Sequence, residues 1–149
     1  MEISDSKTKF AKHGYVHFTD LIPASLIQYL KRIIDNAEKE GGYGEIFFRK
    51  NCYNFAIDDA KIASLVNSKA LQERLQQTID RPLIHSDSIV FELDQKEKGF
   101  PWHVGLVSFK FIYPEDGGYS LWIPLDRIDN QDQGGGMALI SLSDKNGGY

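Results

Sequence analysis

Two patterns of hydrophobic positions divide the chain near residue 80. Before that point apolar residues recur every three or four positions, which is the spacing of amphipathic helices. After it they come in short β-branched and aromatic runs separated by polar turns, which is typical of strands. We therefore predict a helical part over about 1–80 and strands over about 81–149. Helices followed by short antiparallel strands indicate an α+β fold.

The first part contains two predicted helices. Residues 7–16 have a short helical pattern that ends at Gly14, and 15–18 is predicted to be a strand. Pro23 begins the stronger helix, with Ser25 as its candidate N-cap. The apolar positions of this helix share one face: Leu26, Ile27, Leu30, Ile33, Ile34 and Ala37. We expect this stripe to pack against a sheet.

A third helical pattern covers 58–79 and is predicted to break at Asn67-Ser68. Beyond it the runs predict four strands, at 83–93, 104–113, 119–125 and 137–142. Strands at this spacing suit a double-sheet jelly roll. We expect alternate apolar residues of these strands to share one core: Ile89, Phe91, Phe109, Phe111, Leu121, Ile123 and Leu139.

An aromatic stretch lies between the helical patterns. Residues 46–48 and 53–55 are apolar and aromatic, which predicts short strands or an ordered loop. Arg49 and Lys50 stand between them. This basic group is interpreted either as a surface turn or as a guanidinium placed for a substrate carboxylate, because arginine forms bidentate pairs with carboxylates.

Composition narrows the class of protein. A length of 149 residues predicts a single domain, and the net charge of −4 without a basic block argues against nucleic-acid binding. No apolar run approaches the roughly 20 residues of a membrane-spanning helix. The single cysteine, Cys52, is typical of a reducing compartment and is interpreted as a buried structural thiol. A cytoplasmic location is expected.

The candidate chemistry lies at Phe100-Pro101-Trp102-His103-Val104-Gly105. Non-haem iron(II) oxygenases hold the metal with two histidines and a carboxylate. Here His103 is followed at the carboxylate spacing by Gly105, which offers no ligand. One interpretation is a metal site with an additional open position that a halide fills. The alternative is an ordinary strand-end histidine beside a close-approach glycine.

Three segments carry a family resemblance: the His-x-Gly stretch, the run Tyr119-Ser120-Leu121-Trp122-Ile123-Pro124-Leu125-Asp126, and Gly134-Gly135-Gly136-Met137-Ala138. Together with the N-terminal segment 10–16 they resemble the phytanoyl-CoA-dioxygenase-like oxygenases. Within that branch they are most similar to iron(II)- and 2-oxoglutarate-dependent halogenases of free amino acids such as lysine. The resemblance covers nearly the whole chain and implies a jelly-roll oxidoreductase.

The resemblance implies a set of roles. His103 would be an iron ligand, and Gly105 would leave the position that chloride occupies. Oxygen and 2-oxoglutarate would be consumed, succinate and carbon dioxide released, and an unactivated C–H bond of a basic amino acid chlorinated. For such a substrate, Glu92 is the candidate ammonium partner, Arg49 the candidate carboxylate partner, and Trp102 a candidate wall of the site.

One departure from the family pattern concerns the second half of the site. The family's second histidine ligand and its 2-oxoglutarate-binding arginine follow the Gly-Gly turn, whereas this chain has no histidine after His103 and no arginine after Arg127. We therefore expect a C-terminally truncated domain that is itself inactive. Two other functions remain open: a hydroxylase that tolerates Gly105, and a non-catalytic jelly-roll fragment without metal.

Overall fold

The structure is a computed structural model, and it describes residues 3–38, 48–55, 58–93, 99, 101–103, 112–113, 115–128 and 136–143. Its helices and strands in chain order are α1 (Ile3–His13), α2 (Ala24–Asp35), β1 (Lys50–Cys52), α3 (Ala60–Val66), α4 (Lys69–Ile79) and β2 (Val90–Glu92). The chain forms two compact units. The first combines Met1–Tyr29, Tyr53–Ile89 and Met137–Tyr149, and the second combines Leu30–Cys52 and Val90–Gly136.

Helix α1 of the first unit confirms the short N-terminal helix, although it begins four residues earlier than predicted. It ends where the sequence indicates, because Gly14 adopts a left-handed backbone with φ of +79°. The Gly14 N–H donates to the Phe10 carbonyl at 2.8 Å, which closes the last turn. Residues 15–18, predicted to be a strand, have no strand structure.

Helices α3 and α4 confirm the predicted helical stretch and its break. Asp59 caps α3, because its carboxylate accepts the backbone N–H groups of Lys61 and Ile62 at 2.9 and 3.1 Å. Ser68 caps α4 by accepting the Leu71 N–H at 3.3 Å. The break at 67–68 is therefore the point where α3 ends and Ser68 caps the start of α4.

Helix α4 packs against α1 and α3 in the first unit. Its Leu71 is 3% exposed, and Ile62 of α3 is also buried. At the end of α4, Asp80 adopts a left-handed backbone with φ of +63°, and its carboxylate forms a salt bridge with Lys7 of α1. Apolar burial at the centre and an ion pair at the end thus join the helices.

Helix α2 begins at Ala24, so the predicted cap at Ser25 is wrong: Ser25 lies inside the helix. Pro23 accounts for the start, because its carbonyl accepts the Leu26 N–H at 2.9 Å and its ring suits the first turn. The predicted apolar stripe is the less exposed face of the helix, and Ile34 is buried.

The second unit contains an antiparallel pair of strands, β1 and β2, in which Asn51 is opposite Phe91. Lys50 therefore begins a strand, and Arg49 directly precedes it. The predicted strand at 83–93 is a strand only over Val90–Glu92. On one face the Lys50 ammonium donates to the Ile34 carbonyl at 2.8 Å, and the Cys52 thiol donates to the Glu38 carbonyl at 3.3 Å.

The remaining predicted strands have different outcomes. Residues 119–125 and 137–142 are described, and neither segment is a hydrogen-bonded strand. A strand needs a partner to complete its ladder, so an apolar run alone does not make one. The prediction for 104–113 falls mainly on residues outside the described part of the chain. The jelly roll stays a prediction. The predicted shared core is wrong for Ile89, Phe91, Leu121 and Leu139, whose side chains are exposed.

Among the described residues, no helix has both the length and the apolar character needed to cross a membrane.

Candidate functional site

His103 lies in the second unit, in the described tripeptide 101–103, and its side chain is exposed. Its ring Nδ1 lies 2.9 Å from the Pro101 carbonyl oxygen. A carbonyl only accepts hydrogen bonds, so Nδ1 carries the proton and donates. The lone pair of the neutral imidazole is then on Nε2. This tautomer is typical of metal-binding histidines, which donate their other ring N–H to a carbonyl or carboxylate.

Two other residues of the predicted metal motif, Trp102 and Gly105, were also expected to shape the site. Trp102, expected to wall the site, is 70% exposed in the structure. Gly105, expected to leave the halide position, lies outside the described residues. The position proposed for chloride is therefore a sequence prediction.

Arg49 and Glu92 are the predicted site residues that the structure brings into contact. The guanidinium and the carboxylate form a salt bridge, with Arg49 half-exposed and Glu92 largely covered. The strands hold this pair together, because the Arg49 N–H also donates to the Glu92 carbonyl at 2.8 Å. The sequence analysis gave these residues separate roles at opposite ends of a substrate. In the structure each charge has the other as its partner.

The described residues do not by themselves form an iron site. Within them, no group of three histidine, cysteine, aspartate or glutamate side chains is close enough together to hold a metal ion. A selective iron(II) site needs two imidazoles and further donors. His103 fits the role of one imidazole ligand by its tautomer, and Glu92 is already paired with Arg49.

Cys52 behaves as the sequence predicts for a structural thiol. It is 3% exposed and donates to a backbone carbonyl, so it is poorly placed to act as a nucleophile.

A histidine–serine cluster in the first unit was not predicted. The Nδ1 atom of His13 lies 2.7 Å from the Ser141 hydroxyl, which lies 2.8 Å from the Ser143 hydroxyl. The backbone supports this contact, because the Leu142 N–H donates to the His13 carbonyl at 3.0 Å. These residues are about 130 positions apart in sequence, so no local pattern signals their contact.

A second unpredicted feature is Asn51 at the centre of β1. Its side chain is completely buried, with 0% exposure, and in the described part of the chain neither amide atom has a hydrogen-bond partner. The sequence signal is weak: a polar residue between basic and aromatic residues suits a turn equally well.

Two surface depressions are lined by described residues of the first unit. One, of about 280 Å³, lies beside Gln76 and Pro82, and another, of about 380 Å³, lies between Leu21 and the α3–α4 pair. Both are in the first unit, whereas His103, Arg49 and Glu92 belong to the second.

Comparison with known protein families, with characterised proteins and with solved structures found no match to this chain.

Proposed function

We propose that this chain is part of a non-haem iron(II)- and 2-oxoglutarate-dependent halogenase that chlorinates a free basic amino acid. The observation that carries the proposal is the His103 imidazole within the His-x-Gly motif. Its Nδ1–H is committed to the Pro101 carbonyl, which directs the lone pair to Nε2, the state that a metal ligand requires.

When bound, iron, 2-oxoglutarate, oxygen and chloride supply the chemistry that replaces C–H by C–Cl. The protein's own residues bind and orient the substrate. The hydrogen bond from His103 to Pro101 holds the ring in one orientation and keeps its proton on Nδ1. The missing side chain at Gly105 leaves room for an anion where the facial triad has a carboxylate.

The Arg49–Glu92 pair supports an amino-acid substrate. A free amino acid carries a carboxylate and an ammonium, which are the counter-charges of a guanidinium and a carboxylate. The pair is partly exposed, and such salt bridges contribute only about 0–1 kcal/mol, so a zwitterion can replace it at small cost. Arg49 then binds the substrate carboxylate bidentately and Glu92 accepts its ammonium.

The first test is the mass of the product that the purified protein forms. Lysine, ornithine and arginine are incubated with iron(II), 2-oxoglutarate and oxygen, with and without chloride. We expect a chlorinated product that requires chloride. Hydroxylated product alone at high chloride would favour the tolerant hydroxylase. Absence of both iron binding and turnover would favour the non-catalytic fragment.

Variants of the motif sharpen this test. His103→Ala should abolish turnover and lower iron(II) binding measured by anaerobic equilibrium dialysis. His85→Ala is the matched control, because His85 is an exposed histidine hydrogen-bonded to Ser88 at 2.8 Å. Gly105→Asp should abolish chlorination by placing a carboxylate ligand in the halide position. Undiminished chlorination by Gly105→Asp would show that Gly105 does not border the metal.

Substrate binding is tested separately. Arg49→Gln and Glu92→Gln should each raise KM for the amino acid by at least about tenfold, the loss of one charge-assisted hydrogen bond. The matched control is Lys31→Gln, which breaks another salt bridge of the same unit, Lys31 with Asp126. Equal KM values in all three variants and the wild type would exclude the pair from the substrate site.

A further inference from the structure

The larger of the two depressions in the first unit, here called the α3–α4 cleft, has mainly apolar walls. Its volume is about 380 Å³, and it lies between the segment that precedes α2 and the helices α3 and α4. Small-molecule sites are typically clefts of about 300–1,000 Å³ with apolar walls and a few polar groups. The cleft therefore has room for a small molecule with an apolar body. The apolar residues that line it are Leu21, Pro23, Leu65, Ala70 and Leu71.

Helix packing holds the walls of the α3–α4 cleft in place. Leu71 is buried, and its N–H donates to the Ser68 hydroxyl that caps α4. Leu65, on the facing helix α3, is half-buried. The walls are thus formed before any ligand binds, which lowers the cost of binding.

Lys61 gives the α3–α4 cleft a positive charge. Its ammonium lies 4.2 Å from the centroid of the Tyr29 ring, which positions the charge without neutralising it. The Asp59 carboxylate is engaged by the Tyr29 hydroxyl and by the backbone N–H groups at the start of α3. Among the described residues, none that lines the cleft is acidic, and Lys61 forms no salt bridge. The ammonium is therefore available to an anion in the cleft.

We propose that the α3–α4 cleft binds a small monocarboxylate with a short hydrocarbon chain. The chain lies against the apolar walls, and the carboxylate lies at the Lys61 ammonium. One ammonium matches one negative charge, whereas an anion of higher charge would remain partly uncompensated. This site goes beyond the proposed halogenation: its residues belong to the first unit, and His103, Arg49 and Glu92 belong to the second.

The experiment titrates the purified ¹⁵N-labelled protein with sodium hexanoate and follows the backbone amide resonances of Leu65 and Leu71. We expect saturable shifts, and Kd should fall about two- to fourfold for each CH₂ added from butanoate to hexanoate, because each CH₂ leaves water. Hexan-1-ol and hexylamine carry the same chain with no charge and with a positive charge. Both should bind more weakly than hexanoate, and hexylamine should bind most weakly.

Two variants separate the charge from the apolar walls. Lys61→Gln should raise Kd for hexanoate about three- to fivefold, the contribution of a partly exposed ion pair, and should leave Kd for hexan-1-ol unchanged. Ala70→Phe fills the cleft and should abolish the shifts with both compounds. The matched control is Lys69→Gln, because Lys69 is an exposed lysine of α4 that pairs with Glu73 at 3.7 Å and does not line the cleft. It should bind hexanoate as the wild type does.

Each part of the proposal can fail separately. No saturable shifts with hexanoate, or undiminished shifts in a folded Ala70→Phe variant, would overturn the α3–α4 cleft as the site. Equal Kd values for hexanoate, hexan-1-ol and hexylamine would overturn the choice of a carboxylate. The role of Lys61 would be overturned if Lys61→Gln and Lys69→Gln bound hexanoate equally well.

Discussion

The helical segment 58–80 and the extended segments 119–128 and 136–143 both contain regularly spaced apolar residues, but they differ in burial. In the helices, Leu71 is 3% exposed, whereas Leu142 in the last extended segment is 77% exposed. A helix satisfies its own backbone hydrogen bonds and then needs only one covered face. An extended segment depends on a partner strand for both its hydrogen bonds and its burial. Similar patterns therefore lead to different structures.

The largest expected effect lies in the helical core. Leu71→Ala should lower the free energy of unfolding by about 2–5 kcal/mol, because it removes buried methyl groups and leaves a cavity. Leu142→Ala makes the same chemical change at an exposed position and should cost less than about 0.5 kcal/mol. The measurement is denaturant unfolding of both variants. Equal losses would show that the extended segment is as well packed as the helices.

A smaller effect is expected where the two kinds of segment meet. Gly14→Ala should cost about 1–2 kcal/mol, because its φ of +79° disfavours any side chain. A Cβ at Gly14 would also lie 2.8 Å from the Leu142 side chain. Thermal unfolding of Gly14→Ala with Leu142→Ala separates the two causes. Partial recovery in the double variant is expected, and full recovery would mean that backbone strain contributes nothing.

The helix cap should have an effect of about 1 kcal/mol. Ser68→Ala removes the acceptor of the Leu71 N–H at the start of α4. Ser64→Ala is the matched control, because Ser64 is an exposed residue inside α3, where alanine is the better helix former. The control should be neutral or slightly stabilising by denaturant unfolding. A destabilised control would indicate a contact of Ser64 that propensity does not include.

The smallest expected effect depends on pH. The hydrogen bond from the Tyr29 hydroxyl holds the pKa of Asp59 below its ordinary value of 3.8, and the backbone N–H groups of Ile62 and Lys61 act in the same direction. The stability from this carboxylate is present above pH 3.8 and is lost as the pH falls through the lowered pKa of the folded protein.

Asp59→Asn should therefore flatten the loss of stability as the pH falls below 3.8, measured as Tm against pH. Asp58→Asn removes the same charge at the neighbouring position and should leave the slope close to that of the wild type. Equal flattening in Asp58→Asn and Asp59→Asn would assign the effect to general charge. The salt bridge with Lys7 lowers the pKa of Asp80, and its contribution to the pH dependence of stability should be the same in both variants.

Only part of the candidate site could be predicted from the sequence. His103 stands out because its motif is local, and its tautomer follows from a carbonyl two residues away. The salt bridge between Arg49 and Glu92 joins positions 43 residues apart, and nothing near either residue signals it. Asn51 was likewise missed, because its burial depends on a strand pairing that local composition does not encode.

The sequence by itself determined the helices of this protein. The spacing of the apolar residues predicts α1, the apolar stripe of α2 and the α3–α4 pair. Gly14 ends α1, and Asp59 and Ser68 begin α3 and α4, through hydrogen bonds that reach no more than four residues along the chain. Only the tertiary structure decided which apolar runs pair as strands, which charges meet, and which polar side chains are buried. The physical reason is range: helical hydrogen bonds and caps close over a few residues, whereas strand ladders and ion pairs require distant segments to come together.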